Sequence, residues 1–224
     1  MKRLLAAAAA LALSAPPAAA DNYTLTATSS SFAFVAGQTS QTVNVVVTND
    51  TGVATPANFM ANWQLTLVLV PQAGSPGNLL FNTPVTSTNS PLPPNYVFPG
   101  SFAGLSVTNN APHTTLSAND FDSVAAGSQV PTAPGANLLQ LTVVASSPTI
   151  AGAYDLFAVR GLANTSWANP ANTQVAFANV PFNPSGMDRL ATFTVTPEPA
   201  SVLLVCGLAA AGAWTRRCQR PGRP

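Results

Sequence analysis

Residues 62–71, NWQLTLVLVP, put Trp63, Leu65, Leu67 and Leu69 on one side of an extended chain and Gln64, Thr66 and Val68 on the other. A repeat of two is the signature of a strand with one buried face, because successive side chains of an extended chain point to opposite sides. The same period recurs outward from this stretch. TVNVVVT (42–48) aligns Val43, Val45 and Val47; LLQLTVV (138–144) aligns Leu139, Leu141 and Val143; ATFTV (191–195) aligns Phe193 and Val195. YTLTAT (23–28), FAFV (32–35), FAGLSVT (102–108), YDLFAV (154–159) and QVAFANV (174–180) are further strand candidates, about nine in all. Asn, Gly, Pro, Ser and Thr fill the gaps, as turns require. No helix-period segment of useful length lies between the chain's two ends. The expectation is an all-β protein whose body is a single antiparallel β-sandwich. Trp63, on the apolar face of its strand, reads as core.

Residues 71–134 hold ten of the 21 prolines. Proline cannot donate to a central ladder, so strands here must be short or peripheral and the segment reads as long loops inserted in one sandwich. Both cysteines, Cys206 and Cys218, lie near the C-terminus, so no disulfide can staple the body and burial must hold it. A body of this size buries about 70% of its unfolded surface, which is enough.

Charged residues make up 7% of the chain and are concentrated at its ends. Lys2 and Arg3 open it, and Arg216, Arg217, Arg220 and Arg223 close it, leaving Arg160 and Arg189 between them. Six aspartates fall in residues 21–196, and the single glutamate is Glu198. The body is therefore mildly acidic and has no basic face for phosphate, which excludes nucleic acid as a partner.

Residues 1–20, MKRLLAAAAALALSAPPAAA, have a basic start, an apolar run from Leu4 to Leu13 and an Ala18-x-Ala20 end, the pattern of a secretory signal peptide cut before Asp21. At the other end, residues 200–215 form an uncharged run of sixteen, about 24 Å as a helix, a short single transmembrane span for a hydrocarbon core of about 30 Å. Arg216 and Arg217 follow at once and favour the cytoplasmic side, which leaves everything before the span outside. Pro197-Glu198-Pro199, the apolar run and the basic cluster RRCQR together resemble the PEP-CTERM sorting signal of bacterial envelope proteins. That resemblance implies recognition of Pro197, Glu198 and Pro199 by an exosortase, a transient membrane anchor, Arg216 and Arg217 as the stop, and release of the tail on the way to the cell surface or exopolysaccharide matrix. The short apolar run and the interruption of the arginines by Cys218 and Gln219 depart from the pattern. The organisation expected is a signal peptide at 1–20, a sandwich at 21–195 and a sorting signal at 196–224, with its basic tail at 216–224.

The body's layout is similar to cohesin-like and related carbohydrate-binding or immunoglobulin-like sandwiches. AGQTSQTVNVVVTN (36–49), NWQLTLVLVP leading to NLLF (78–81), and LLQLTVVASSPTIAGAYDLFAV (138–159) carry the similarity. It implies a fold and assigns no binding residue.

Little in the body reads as chemistry. His113, the single histidine, stands in a loop-like NNAPHTTLS without a nucleophile signature, so no catalytic residue is expected. Asn119, Asp120 and Asp122, in SANDFDS, supply hard oxygens at a spacing that Ca²⁺ accepts, although without the glycine and distal glutamate of an EF-hand loop. Loop-building Asx residues account for the same pattern, and no metal or other cofactor is required. Trp167, in NTSWANP, and Tyr96 with Phe98, in PPNYVFPG, are the candidates for stacking on a sugar ring. The function expected is a secreted, exosortase-sorted surface or extracellular-matrix protein with a structural or adhesive role and no catalysis. The alternative is a surface carbohydrate-binding module, and behind it a surface hydrolase. Signal peptidase and exosortase are the processing partners, and exopolysaccharide the candidate matrix partner.

Overall fold

The computed structural model describes residues 23–35, 38–52, 56–75, 77, 79–82, 86–88, 92–100, 104–146 and 151–196. The signal peptide, Pro197-Glu198-Pro199, the apolar run 200–215 and the basic tail lie outside the described residues. Among those that are described, no helix is long and apolar enough to cross a membrane.

Two sheets enclose one core. The smaller runs in the order β1 (Tyr23–Ala27), β3 (Ser40–Asn49), β9 (Ala136–Ala145), β5 (Leu79–Phe81), all antiparallel. The larger runs β2 (Ser31–Phe34), β13 (Met187–Val195), β10 (Gly152–Val159), β4 (Asn62–Pro71), β8 (Thr115–Phe121), β7 (Ser106–Thr108), β6 (Thr86–Thr88). Beside it, β11 (Ser166–Ala168) joins β4 to β12 (Gln174–Val175). One pairing departs from the antiparallel expectation, because β2 lies parallel to β13. The chain leaves β2 and crosses to the other sheet as β3, so β2 is free to lie in that direction along the final strand. Phe32 stacks on Phe193 there at 5.1 Å between ring centres.

The alternation seen in residues 62–71 is the alternation of burial along β4. Trp63, Leu65, Leu67 and Leu69 meet Val43, Val45, Val47, Leu139, Leu141 and Val143 of the facing sheet in one apolar cluster. Each such side chain, taken fully out of water, contributes about 1.5–3 kcal/mol. Where alternation fails, a bulge explains it. The register of β3 on β9 shifts between Val45 and Val46, which leaves Leu138 beside Leu139 with both buried. A second shift, between Leu156 and Phe157 of β10, does the same for Leu190 and Ala191 of β13.

The edge of β1 is closed by a side chain. Asn179 accepts from the Leu25 N–H at 2.9 Å and donates Nδ2 to the Leu25 carbonyl at 2.6 Å, standing in for a neighbouring strand. An amide in that place blocks pairing with another molecule's strand.

The proline-rich segment carries the short strands β5, β6 and β7, as its composition demands, and then β8, a seven-residue strand in the middle of the larger sheet. β8 contains no proline and includes part of SANDFDS, which the sequence reading treats as loop. Asp120 hides it, since an aspartate at an inward position breaks the apolar alternation that advertises a strand. Between β5 and β7, Val97 and Phe98, and just before β7 Leu105, also join the core.

Candidate binding groove

Three aromatic residues expected on the surface are buried. Trp167 is 1% exposed; it belongs to β11, pairs with Trp63 in the ladder, lies 4.5 Å from the Tyr23 ring and donates its indole N–H to the Ala176 carbonyl at 3.3 Å. Phe98 is fully buried and Tyr96 nearly so, their rings edge-to-face at 5.9 Å. None of the three offers a ring face to a sugar, which corrects the stacking assignment. The reason is tertiary: Trp167 lies in a strand, β11, rather than a loop, and all three rings belong to the single apolar core cluster.

The Ca²⁺ candidates are also placed otherwise. Along β8 the side chains alternate, so Asn119 is exposed on one face and Asp120 is buried on the other. Asp120 accepts from the Tyr96 hydroxyl at 2.6 Å through Oδ2, and from the Gly104 and Phe121 amides at 3.1 and 2.7 Å through Oδ1. Asp122 accepts from the Val124 amide at 2.9 Å and from the Ser128 hydroxyl. Their oxygens hold the loops to the strand end, and the described residues contain no group of three acidic, histidine or cysteine side chains suited to a metal.

The Asp120 contact has an alkaline consequence. Burial, and then the hydrogen bond to Asp120 and its charge, push the Tyr96 phenol far above its ordinary pKa. The folded protein keeps this proton where the unfolded chain releases it, above a pH of about 10. Tyr96 therefore contributes stability that is fully present below pH ~10 and is lost above it, at about 1.4 kcal/mol per pH unit. Urea titrations at increasing pH above 10 should show a decline in wild type that is shallower by one proton in Tyr96→Phe. Equal slopes would contradict the assignment.

His113 is half-buried between β7 and β8 with φ of 65°, tied by its backbone to Asn110 and Phe81. Among the described residues its imidazole makes no ion pair.

On the outer face of the larger sheet, where β8, β4, β11 and β12 run side by side, lies a groove of about 550 Å³. The register sets its floor. Phe121 pairs with Asn62, Asn62 with Ala168, and Ala168 with Gln174, a row across four strands. Asn119, Gln64 and Ser166 form the next row. Paired residues share a face; on it Asn119, Phe121 and Gln174 are exposed and Asn62 and Gln64 half-buried, while Ser166 and Ala168 are buried. Phe121 is 57% exposed and Val124, at the rim, 51%. Asn169, Pro170 and Asn172, in the turn before β12, make the far wall, with Asn172 in the left-handed region at φ 59°. Sequence reasoning missed this site. Once residues 115–121 are read as a strand with Leu116, Ala118 and Asp120 inward, an outward phenylalanine beside outward carboxamides is the signal that finds it.

No protein-family model matches the chain, and no curated protein matches it. Solved structures similar to it include the second type II cohesin module of the adaptor ScaA scaffoldin of Acetivibrio cellulolyticus, 8% identical over 70% of this chain and 84% of that one, with a TM-score of 0.46. The seventh ScaB type I cohesin of Pseudobacteroides cellulosolvens is 14% identical over 79% and 93% of the two chains, with a TM-score of 0.42. A likeness at this level transfers no ligand or partner.

Proposed function

We propose that this chain is an exported bacterial surface protein with a structural or adhesive role and no catalysis. In this reading, signal peptidase removes residues 1–20, the tail 196–224 anchors the protein briefly in the membrane, and an exosortase acts at Pro197-Glu198-Pro199. The sandwich at 21–195 then reaches the cell surface or the exopolysaccharide matrix. The observation that carries the non-catalytic part is how the described aspartates are engaged. Besides Asp120 and Asp122, Asp50 accepts from the Thr24 hydroxyl, Asp155 from Gln72 and Thr192, and Asp188 holds Arg160 through paired bonds of 2.7 and 2.6 Å. A general base needs a carboxylate oxygen facing substrate, and Asp120, Asp122 and Asp188 each engage both oxygens within the fold. The hydrolase reading gains no support from His113, which no described carboxylate orients.

The test of sorting is intact mass and fractionation of the mature protein, with and without Glu198→Ala. Wild type is expected to begin at Asp21, to lack the tail beyond the Pro-Glu-Pro region and to leave the inner membrane. Glu198→Ala should keep the tail and stay membrane-bound. A wild-type protein of full tail mass in the inner membrane would sink the sorting reading.

Carbohydrate binding is the second reading, and the groove beside Phe121 favours it. Its volume falls within the range of small-molecule and oligomer sites, and its lining mixes one exposed ring with several amides.

A further inference from the structure

We infer that the groove across β8, β4, β11 and β12 is a binding site for an uncharged polysaccharide, with Phe121 as its stacking platform. The inference rests on the carbohydrate-binding reading and names its site and ligand class.

Three observations converge. The first is the ring. Phe121 closes β8 on its outward side with more than half its surface in water, next to Val124. An aromatic ring presented at the edge of a polar depression is a flat apolar face on which the C–H face of a sugar can lie.

The second is the hydrogen-bonding inventory. Asn62, Asn119, Asn172 and Gln174 line the groove, and their carboxamides form no described hydrogen bond within the protein. Each carboxamide carries two donors and an acceptor, matching hydroxyl groups that both give and take. By contrast, Gln64 is already committed, donating to the Leu162 carbonyl and to Ser166 Oγ at 3.1 Å. Gln64 stiffens the floor, while the other amides remain available.

The third is charge. No lysine, arginine or histidine lines the groove, and the carboxylates of Asp120 and Asp122 at its margin are taken up by the protein donors described above. An anionic ligand would find no cation here and would approach two carboxylates. A cationic one would find no free acid. The chemistry left is that of neutral hydroxyls and C–H surfaces. Phe121 and Gln174, both lining the groove, stand three inter-strand spacings apart, roughly 14 Å, with Asn62 between them, so the site accepts a segment of chain rather than a single sugar.

The test is affinity gel electrophoresis of the processed protein recovered from the cell surface, run in gels containing dextran, laminarin or alginate. Wild type should be retarded by at least one of the neutral glucans and not by alginate. Phe121→Ala should weaken that retardation tenfold or more, and Asn119→Ala combined with Gln174→Ala severalfold. Val35→Ala, exposed at a distant site on β2's end, should leave it unchanged. All of these positions are exposed, and unchanged melting curves confirm that the variants fold. If Phe121→Ala binds as tightly as wild type, this groove falls while carbohydrate binding stands. If only alginate retards the protein, the uncharged ligand is wrong. If no polysaccharide retards it, both the site and the carbohydrate-binding reading fall.

Discussion

Replacing Trp167 by alanine is expected to lower the unfolding free energy by about 3–5 kcal/mol, the range for truncating a buried large aromatic side chain. At 1% exposure the indole packs on the Tyr23 ring beside the end of β4, so its removal leaves a void in the core. Its loss also strands the Ala176 carbonyl, which accepts the indole N–H. β11 is three residues long and depends on this side chain for its place between β4 and β12. Urea denaturation should show a lower midpoint with little change in slope, and thermal melting a fall of roughly 6–20 °C, using 2–4 °C per kcal/mol for a domain of this size. Any loss of glycan binding should follow the loss of folded protein. A variant as stable as wild type that binds glycan poorly would restore Trp167 as a surface platform.

Gly135→Ala is the second large effect, at about 2–5 kcal/mol. The backbone there has φ of +83°, a left-handed conformation that costs any residue with a Cβ about 1–2 kcal/mol. Space adds to this. A Cβ at Gly135 would stand 2.5 Å from the Val47 carbonyl oxygen and 2.8 Å from Thr48 Oγ1. Neither can retreat easily, since β3 is held between β1 and β9, and overpacking of this kind costs about 1–3 kcal/mol more. Gly74 supplies the control: its φ is also +83°, but no atom lies within 4 Å of where its Cβ would be. Gly74→Ala should carry the conformational cost alone. The difference between the two variants, measured by urea unfolding, isolates the close approach, and equal losses would remove it from the account.

How far each element could be read from the residues follows from where its partners lie along the chain. β4, β3, β9 and β13 announce themselves because a strand buried on one face must alternate, whatever it packs against. β8 did not, since its inward aspartate is acceptable only because Tyr96 and Gly104 arrive from elsewhere to bind it. Trp167, Tyr96 and Phe98 sit among prolines and asparagines, a local context that reads as surface loop. Their burial depends on Tyr23 and on strands far away in the sequence. The groove is the extreme case. Phe121, Asn62 and Gln174 come from three separate strands and share a face only once the register is set.

The class of fold, a cysteine-free β-sandwich, is legible in the residues alone. They also carry the expected address, a signal peptide before the body and a Pro-Glu-Pro tail after it. Those are properties of contiguous residues: a period of two, an apolar run, a placement of charge. Packing between distant segments is what puts Trp167, Tyr96 and Phe98 in the core and Phe121 in solvent, and what makes Asp120 and Asp122 fasten loops. Burial and hydrogen-bond partnership are made by residues distant in sequence, and a sheet's register brings them together with no trace in any short stretch of chain.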